Sequence, residues 1–258
     1  MTKYSGPGRT RSKHTDYERT APASSQATTT APGRGHHQPR GVATDRFVQK
    51  LVRPMALSGK YAGRSLDILY TNDPYLADEF CALHIDKQGC THVGFDLEHR
   101  PHFAPGSKAN VALLQFAPLM PALSTTYPVL LYSLYHANAT LPLSLLCLLS
   151  NTAISKHGVG ISGDLRHLAY LELPQECRSS YKELERDVKS VMPHHPGGRS
   201  LKALITSLMD PPCAVLKTKR LTMTNWEKKD LSNDEIAYAA MDALCGVLLW
   251  EIIDTQRG

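Results

Sequence analysis

Residues 93–103 read VGFDLEHRPHF, and the first six decide the architecture. With Thr91 and His92 they form an apolar β run that ends in Asp96-Leu97-Glu98. Side chains on a strand alternate between its faces, so Asp96 and Glu98 point the same way. Two close carboxylates on one face are costly without a cation between them. Hard oxygen donors of this kind suit Mg²⁺ or Mn²⁺. Asp-x-Glu is common, and taken alone the motif is better read as a solvated strand end.

Working outward, strand and helix patterns alternate. Ser65–Tyr70 (SLDILY) reads as a strand, and Asn72-Asp73-Pro74 places a cap and an early proline before a helix reaching Leu83 or His84. After a turn-rich stretch over 99–110, Val111–Phe116 (VALLQF) and Pro128–Leu134 read as further strands. Leu141–Leu149 reads as a buried helix, Lys156–Ile161 (KHGVGI) as a short strand, and 164–171 and 200–209 as helices. Asn233–Ile253 is the clearest helix, with Ser232 or Asn233 as its cap. Hairpin-like strands followed by alternating strands and helices indicate one α/β domain on a mixed sheet.

Two further acids stand at the ends of such elements. Asp164 follows the run Val159-Gly160-Ile161-Ser162-Gly163. Taken alone it reads as a helix N-cap, or as a ligand delivered by a strand end. Tyr238 and Asp242 are four apart on the last helix and share a face, and Ala239 and Ala240 beside them permit close packing on a sheet. Asp242 is a solvated or paired acid in one reading and a ligand in the other. Four carboxylates suffice for two divalent ions, which together stabilise the entering and leaving oxygens of a phosphoryl displacement.

The set resembles the DEDDy group of 3′–5′ exonucleases, in the Werner-type and RNase D branch of the RNase H-like fold. The matching stretches are VGFDLEHRPHF with NVALLQFA, then KHGVGISGDLRHL, then NWEKKDLSNDEIAYAAMDALCGVLLWEII. They span about 65–258. The resemblance implies an RNase H-like mixed β-sheet flanked by α-helices, and a metal-dependent enzyme using two Mg²⁺ or Mn²⁺ ions. Asp96 would bridge both ions, Glu98 and Asp242 would complete one site, and Asp164 would serve the other. Tyr238 would orient the attacking water, and nucleoside 5′-monophosphates would leave from single-stranded or frayed 3′ ends of DNA or RNA. His99 stands where this branch often has tryptophan. Leu97 and His167 flank the acids and are candidate contacts to the terminal nucleotide; Phe95, opposite Asp96, is expected in the core. Lys156 and Asn225-Trp226 are read as structural. The His194-His195 pair is read as an exposed turn, because no other ligand has supporting spacing.

Charge is unevenly spread. Residues 1–50 hold nine Lys/Arg against three Asp/Glu, and residues 51–258 hold 20 against 21. The segment APASSQATTTAPGRGHHQPRG has almost no large apolar side chains and cannot offset the entropy of ordering. Residues 1–45 are therefore expected to be a disordered basic tail, and 46–258 the exonuclease domain. Within the domain, Lys217, Lys219, Arg220, Lys228 and Lys229 form the densest basic cluster, which reads equally well as a solvated face or as a surface that meets phosphates without reading sequence. The six cysteines show no C-x-x-C spacing and no disulfide framework, so an intracellular chain is expected, in the nucleus or the mitochondrion. The apolar runs within Pro128–Leu149 are broken by His136, Asn138 and Pro142, so no membrane partner is expected. No G-x-x-x-x-G-K-[ST] loop is present, which argues against ATP-driven unwinding. A catalytically weak nucleic-acid-binding scaffold on the same fold, and a hydrolase of small phosphoesters, are the competing readings. Retention of all four acids and the tyrosine favours activity over the scaffold.

Overall fold

In the computed structural model, residues 45–55, 61–100, 110–209 and 218–257 are described. The tail expected over 1–45 lies, apart from Asp45, outside them, as does Lys217.

The sheet begins at an edge. β1 (Val48–Pro54) pairs antiparallel with β2 (Ser65–Thr71), Val48 opposite Thr71 and Pro54 opposite Ser65. The VQKLVRP run of β1 alternates exposed and half-buried side chains, as an edge strand wetted on one face does. After β2 the expected cap forms: Asp73 accepts a hydrogen bond from the Tyr75 amide at the start of α1 (Pro74–Cys81). The helix then widens into a π turn over Ala82–Asp86.

β3 (His92–His99), β4 (Val111–Pro118) and β5 (Thr126–Ser133) form an antiparallel meander, and β5 returns parallel to β2. After α2 (Leu143–Ser150), β6 (Ser155–Gly158) adds parallel to β3, and β7 (Tyr181–Glu183) adds parallel to β6. The strand order is β1-β2-β5-β4-β3-β6-β7, a mixed seven-stranded sheet. Four further helices precede the last one: α3 (Ile161–His167), α4 (Leu184–Val191), α5 (Leu201–Leu208) and the single turn α6 (Lys219–Thr222). α7 (Asn233–Asp254) closes the chain.

Every residue of β4 is buried, because both faces of the sheet are covered. Phe95, Leu97, Leu114 and Phe116 pack with Ala77, Phe80 and Leu145 of α1 and α2. Leu113 and Ala117 pack on the other face with Ala239, Ala240, Ala243 and Leu244 of α7. By strand alternation, Asp96 and its cross-strand partner Gln115 belong to that second face.

α7 begins with a capping box. The Ser232 hydroxyl accepts from the Glu235 amide, and the Glu235 carboxylate accepts from the Ser232 amide. Glu235 also accepts from Lys228 and Thr224, which ties the Trp226 loop to the helix start. By length and composition α7 could cross a membrane, with mean hydropathy 1.7 over its most apolar window, but 78% of that window is buried inside this fold. A helix that is apolar on all sides is a core helix here.

Candidate active site

α7 meets the sheet backbone to backbone. A β-carbon built on Gly94 would stand 1.8 Å from the Ala243 carbonyl oxygen, and one on Gly246 would stand 2.5 Å from the His157 carbonyl oxygen. Only residues without a side chain allow this approach. Its consequence is local: Gly94 lies two residues before Asp96 on β3, and Ala243 directly follows Asp242 on α7. The close contact therefore fixes the end of β3 beside the middle of α7.

The charges of acids on both elements bear on one hydroxyl. Tyr238 is 6% exposed and Asp242 4% exposed. The Tyr238 hydroxyl bonds to Asp242, and its proton is held far above the ordinary tyrosine range. Burial is the main cause, followed by the charges of Asp242, Glu98 and Asp96. With no cation beside these carboxylates, a phenol so placed keeps its proton at neutral pH. Its ring stacks on Trp226, centroids 6.1 Å apart. On β3 the Leu97 amide donates to Asp96 Oδ1 at 2.8 Å, and a register shift between Glu98 and His99 ends regular pairing with β4. Irregularities of this kind re-aim side chains beside active sites.

Asp164 sits one turn further into its helix than a cap. Gly160 takes a left-handed φ of 77°, so the chain turns from β6 into α3 within two residues, and Asp164 falls in the first turn. The N-terminal amides are served instead by acids of β7 and α4: the Ser162 amide donates to Glu183 at 2.8 Å and the Gly160 amide to Glu185 at 3.1 Å. Burial, then the charges of Glu183 and Glu185, push the Asp164 carboxyl up to about 7. The charges that bear on Asp164 are thus those of β7 and α4, whereas Tyr238 feels Asp96, Glu98 and Asp242. The backbone still links the two groups, because Gly158 lies against the Phe95 carbonyl, where an added β-carbon would stand 2.6 Å away. Among the described residues, no three carboxylate, imidazole or thiol side chains already stand in metal-ligand geometry. The donor set nevertheless suits a hard divalent ion: all four acids offer carboxylate oxygens, and mutual repulsion keeps such groups apart until a cation lies between them.

Of the candidate substrate contacts, His167 on α3 lies against His99 at the end of β3, ring centroids 5.1 Å apart. Leu97 is 6% exposed and packs in the same core cluster as Phe95, so it leaves little surface for a ligand. Arg100 pairs with Glu227 at 3.2 Å, which joins the β3 end to the Trp226 loop. Lys156 and Trp226 are fully buried, as a structural role requires. Lys156 Nζ donates to the Asn151 carbonyl and the Ser180 hydroxyl, and burial lowers its pKa to about 8. His195 meets Ser207 at 2.8 Å in an exposed connection. Sequence reasoning does not single out Glu183 and Glu185; the one signal they carry is the alternation of acids in Glu183-Leu184-Glu185.

A sequence profile described as 3′–5′ exonuclease matches residues 72–256, which contain all four acids and Tyr238. The chain belongs to the 3′–5′ exonuclease family. It is 29% identical over 170 residues to the mouse bifunctional 3′–5′ exonuclease/ATP-dependent helicase WRN, covering 62% of this chain and 10% of that protein. It is 28% identical over 170 residues to a 3′–5′ exonuclease of Arabidopsis thaliana, covering 65% of this chain and 54% of that one. The chain thus spans a tenth and about half of these two relatives. The fold matches the EXO domain of Nibbler from Aedes aegypti, with a TM-score of 0.52 at 18% identity over 69% of this chain and 84% of the other. The RNase H-like mixed sheet implied by the resemblance is the fold observed.

Proposed function

We propose that this chain is a metal-dependent 3′–5′ exonuclease that hydrolyses phosphodiester bonds of nucleic acid from the 3′ end and releases nucleoside 5′-monophosphates. One observation carries the reading: a buried tyrosine hydroxyl bonded to Asp242 lies in the combined field of Asp242, Glu98 and Asp96. Acids gathered around one point at the end of a strand fit cation binding better than they fit packing.

Asp96, Glu98, Asp164 and Asp242 would hold two divalent ions, Mg²⁺ or Mn²⁺. Bound there, the ions supply charge stabilisation to the entering and leaving oxygens of an in-line displacement. Tyr238 keeps its proton and orients the attacking water by hydrogen bonding. His99 and His167 offer adjoining rings on which a terminal base can rest. The water oxygen bonds to phosphorus as the bond to the 3′-oxygen of the penultimate nucleotide breaks, and that oxygen leaves as a hydroxyl.

The test is product identity. Digestion of an internally labelled single strand with Mg²⁺ or Mn²⁺ yields nucleoside 5′-monophosphates from the earliest time points, and Asp242→Asn yields none. Release of nucleoside 3′-monophosphates, or of internal fragments, overturns the reading.

A further inference from the structure

The basic cluster legible in the sequence is largely neutralised in the fold. Lys228 pairs with Glu235, Lys229 with Asp45, and Arg220 with Asp234. A second group of cations, spread along the sequence, converges elsewhere. Arg166 of α3, Arg186 and Lys189 of α4, and Arg199 before α5 line one cleft of about 810 Å³. None of the four forms an ion pair with a carboxylate among the described residues, and all four are exposed.

Local structure explains the convergence. Leu184 and Val188 bury the inner face of α4, which turns Arg186, Lys189 and Ser190 outward together. Gly160 and Gly163 contribute to the lining without side chains, which keeps the cleft wide; their amides are already bonded, to Glu185 and to the Gly160 carbonyl, so the cations are its ligand-facing groups. Glu183 and Glu185 also line the cleft, but each has an oxygen bonded to an amide at the start of α3, that of Ser162 for Glu183 and that of the capping Gly160 for Glu185. Asp164 lies two positions from Ser162 and from Arg166 on α3 and does not itself line the cleft, but the charges of Glu183 and Glu185, which do, bear on it.

We propose that this cleft seats the phosphodiester backbone of the nucleic-acid strand, at nucleotides preceding the one removed. The inference rests on the nuclease reading and adds where the strand runs. Exposed Arg and Lys side chains on an open cleft hold phosphates without reading bases, which suits an enzyme that must accept each new 3′ end in turn.

The experiment measures binding in the full-length chain carrying Asp96→Ala, in EDTA, so that the strand stays intact. Anisotropy of a labelled single-stranded oligonucleotide gives affinity against salt concentration. Each single-strand phosphate contact contributes about 0.7 to the slope of log affinity on log salt. Adding Arg186→Ala with Lys189→Ala is expected to lower that slope by about 1.4 and to weaken binding at low salt at least about tenfold, with the urea midpoint unchanged. Arg199→Ala alone is expected to lower it by about 0.7. Unchanged slopes in both variants overturn the proposal. So does displacement of the strand by inorganic phosphate or a nucleoside monophosphate at an ionic strength where chloride does not displace it, because the cleft would then hold a terminal phosphate monoester. Slopes that fall as expected in a protein whose unmutated form digests no strand would retain the cleft and reject the nuclease reading.

Discussion

Gly94 and Ala243 touch through their backbones, and a β-carbon added to Gly94 would stand 1.8 Å from the Ala243 carbonyl oxygen. This contact sets the acids of β3 and α7 near enough for the charges of both to bear on Tyr238. Gly94→Ala is expected to destabilise the protein by about 3 kcal/mol, the upper end for overpacking, because the obstacle is backbone. Urea unfolding checks it, and an unchanged midpoint would mean that α7 can stand off the sheet.

Glu235 is the second anchor of α7. It is 7% exposed and accepts hydrogen bonds from Ser232, Thr224 and Lys228. Glu235→Ala orphans several donors at once and is expected to cost about 2 kcal/mol. Because Tyr238 is one turn away, nuclease activity should fall with it. A stability loss without an activity loss would uncouple the cap from the site.

Tyr238→Phe removes a proton donor but no carboxylate. Its rate should fall by about 10²-fold or less, the scale of one lost hydrogen bond to a reacting group. Asp242→Asn removes a charge that a divalent ion requires and should cost about 10³-fold or more. Single-turnover rates with Mn²⁺ decide it, and the reverse order would make the tyrosine the essential group.

The acid side of the stability profile belongs in part to His157. It is 1% exposed, its Nε2 lies 3.0 Å from His92 Nδ1, and Trp250 stacks on both rings. Burial, then the neighbouring charges of His92, Lys182 and Arg257, lower its pKa from 6.5 to about 3. The native state therefore binds fewer protons than the unfolded one. This contribution is complete above pH 6.5 and is lost as pH falls from 6.5 toward 3. His157→Gln should flatten the fall in urea midpoint between about pH 7 and about pH 5. An identical pH dependence in the variant would show that the ring titrates as if exposed.

What was legible in the sequence follows from how locally each feature is encoded. Asp96, Glu98, Tyr238 and Asp242 were readable because each pair obeys one element's own periodicity, two on a strand and four on a helix. β1 was not: Val48 and Val52 stand exposed while Gln49 and Arg53 are half-buried, so its apolar residues do not mark its inner face. Asp164 reads as a cap until the left-handed Gly160 is known, since that residue moves the helix start four positions earlier. The cationic cleft was illegible because Arg166 and Arg199 meet only through the packing of α3, β7 and α4. The pairing of the basic run was illegible in part for the opposite reason: Asp45, which pairs with Lys229, is 184 residues away.

The most direct measurement of the central claim uses 5′-labelled single-stranded DNA and RNA of one sequence, each with Mg²⁺, Mn²⁺ or EDTA, beside Asp96→Ala. The account predicts a ladder that shortens from the 3′ end with either metal and is absent in EDTA and in the variant. A ladder that persists in EDTA or in Asp96→Ala, or intact strands under every condition, would contradict it.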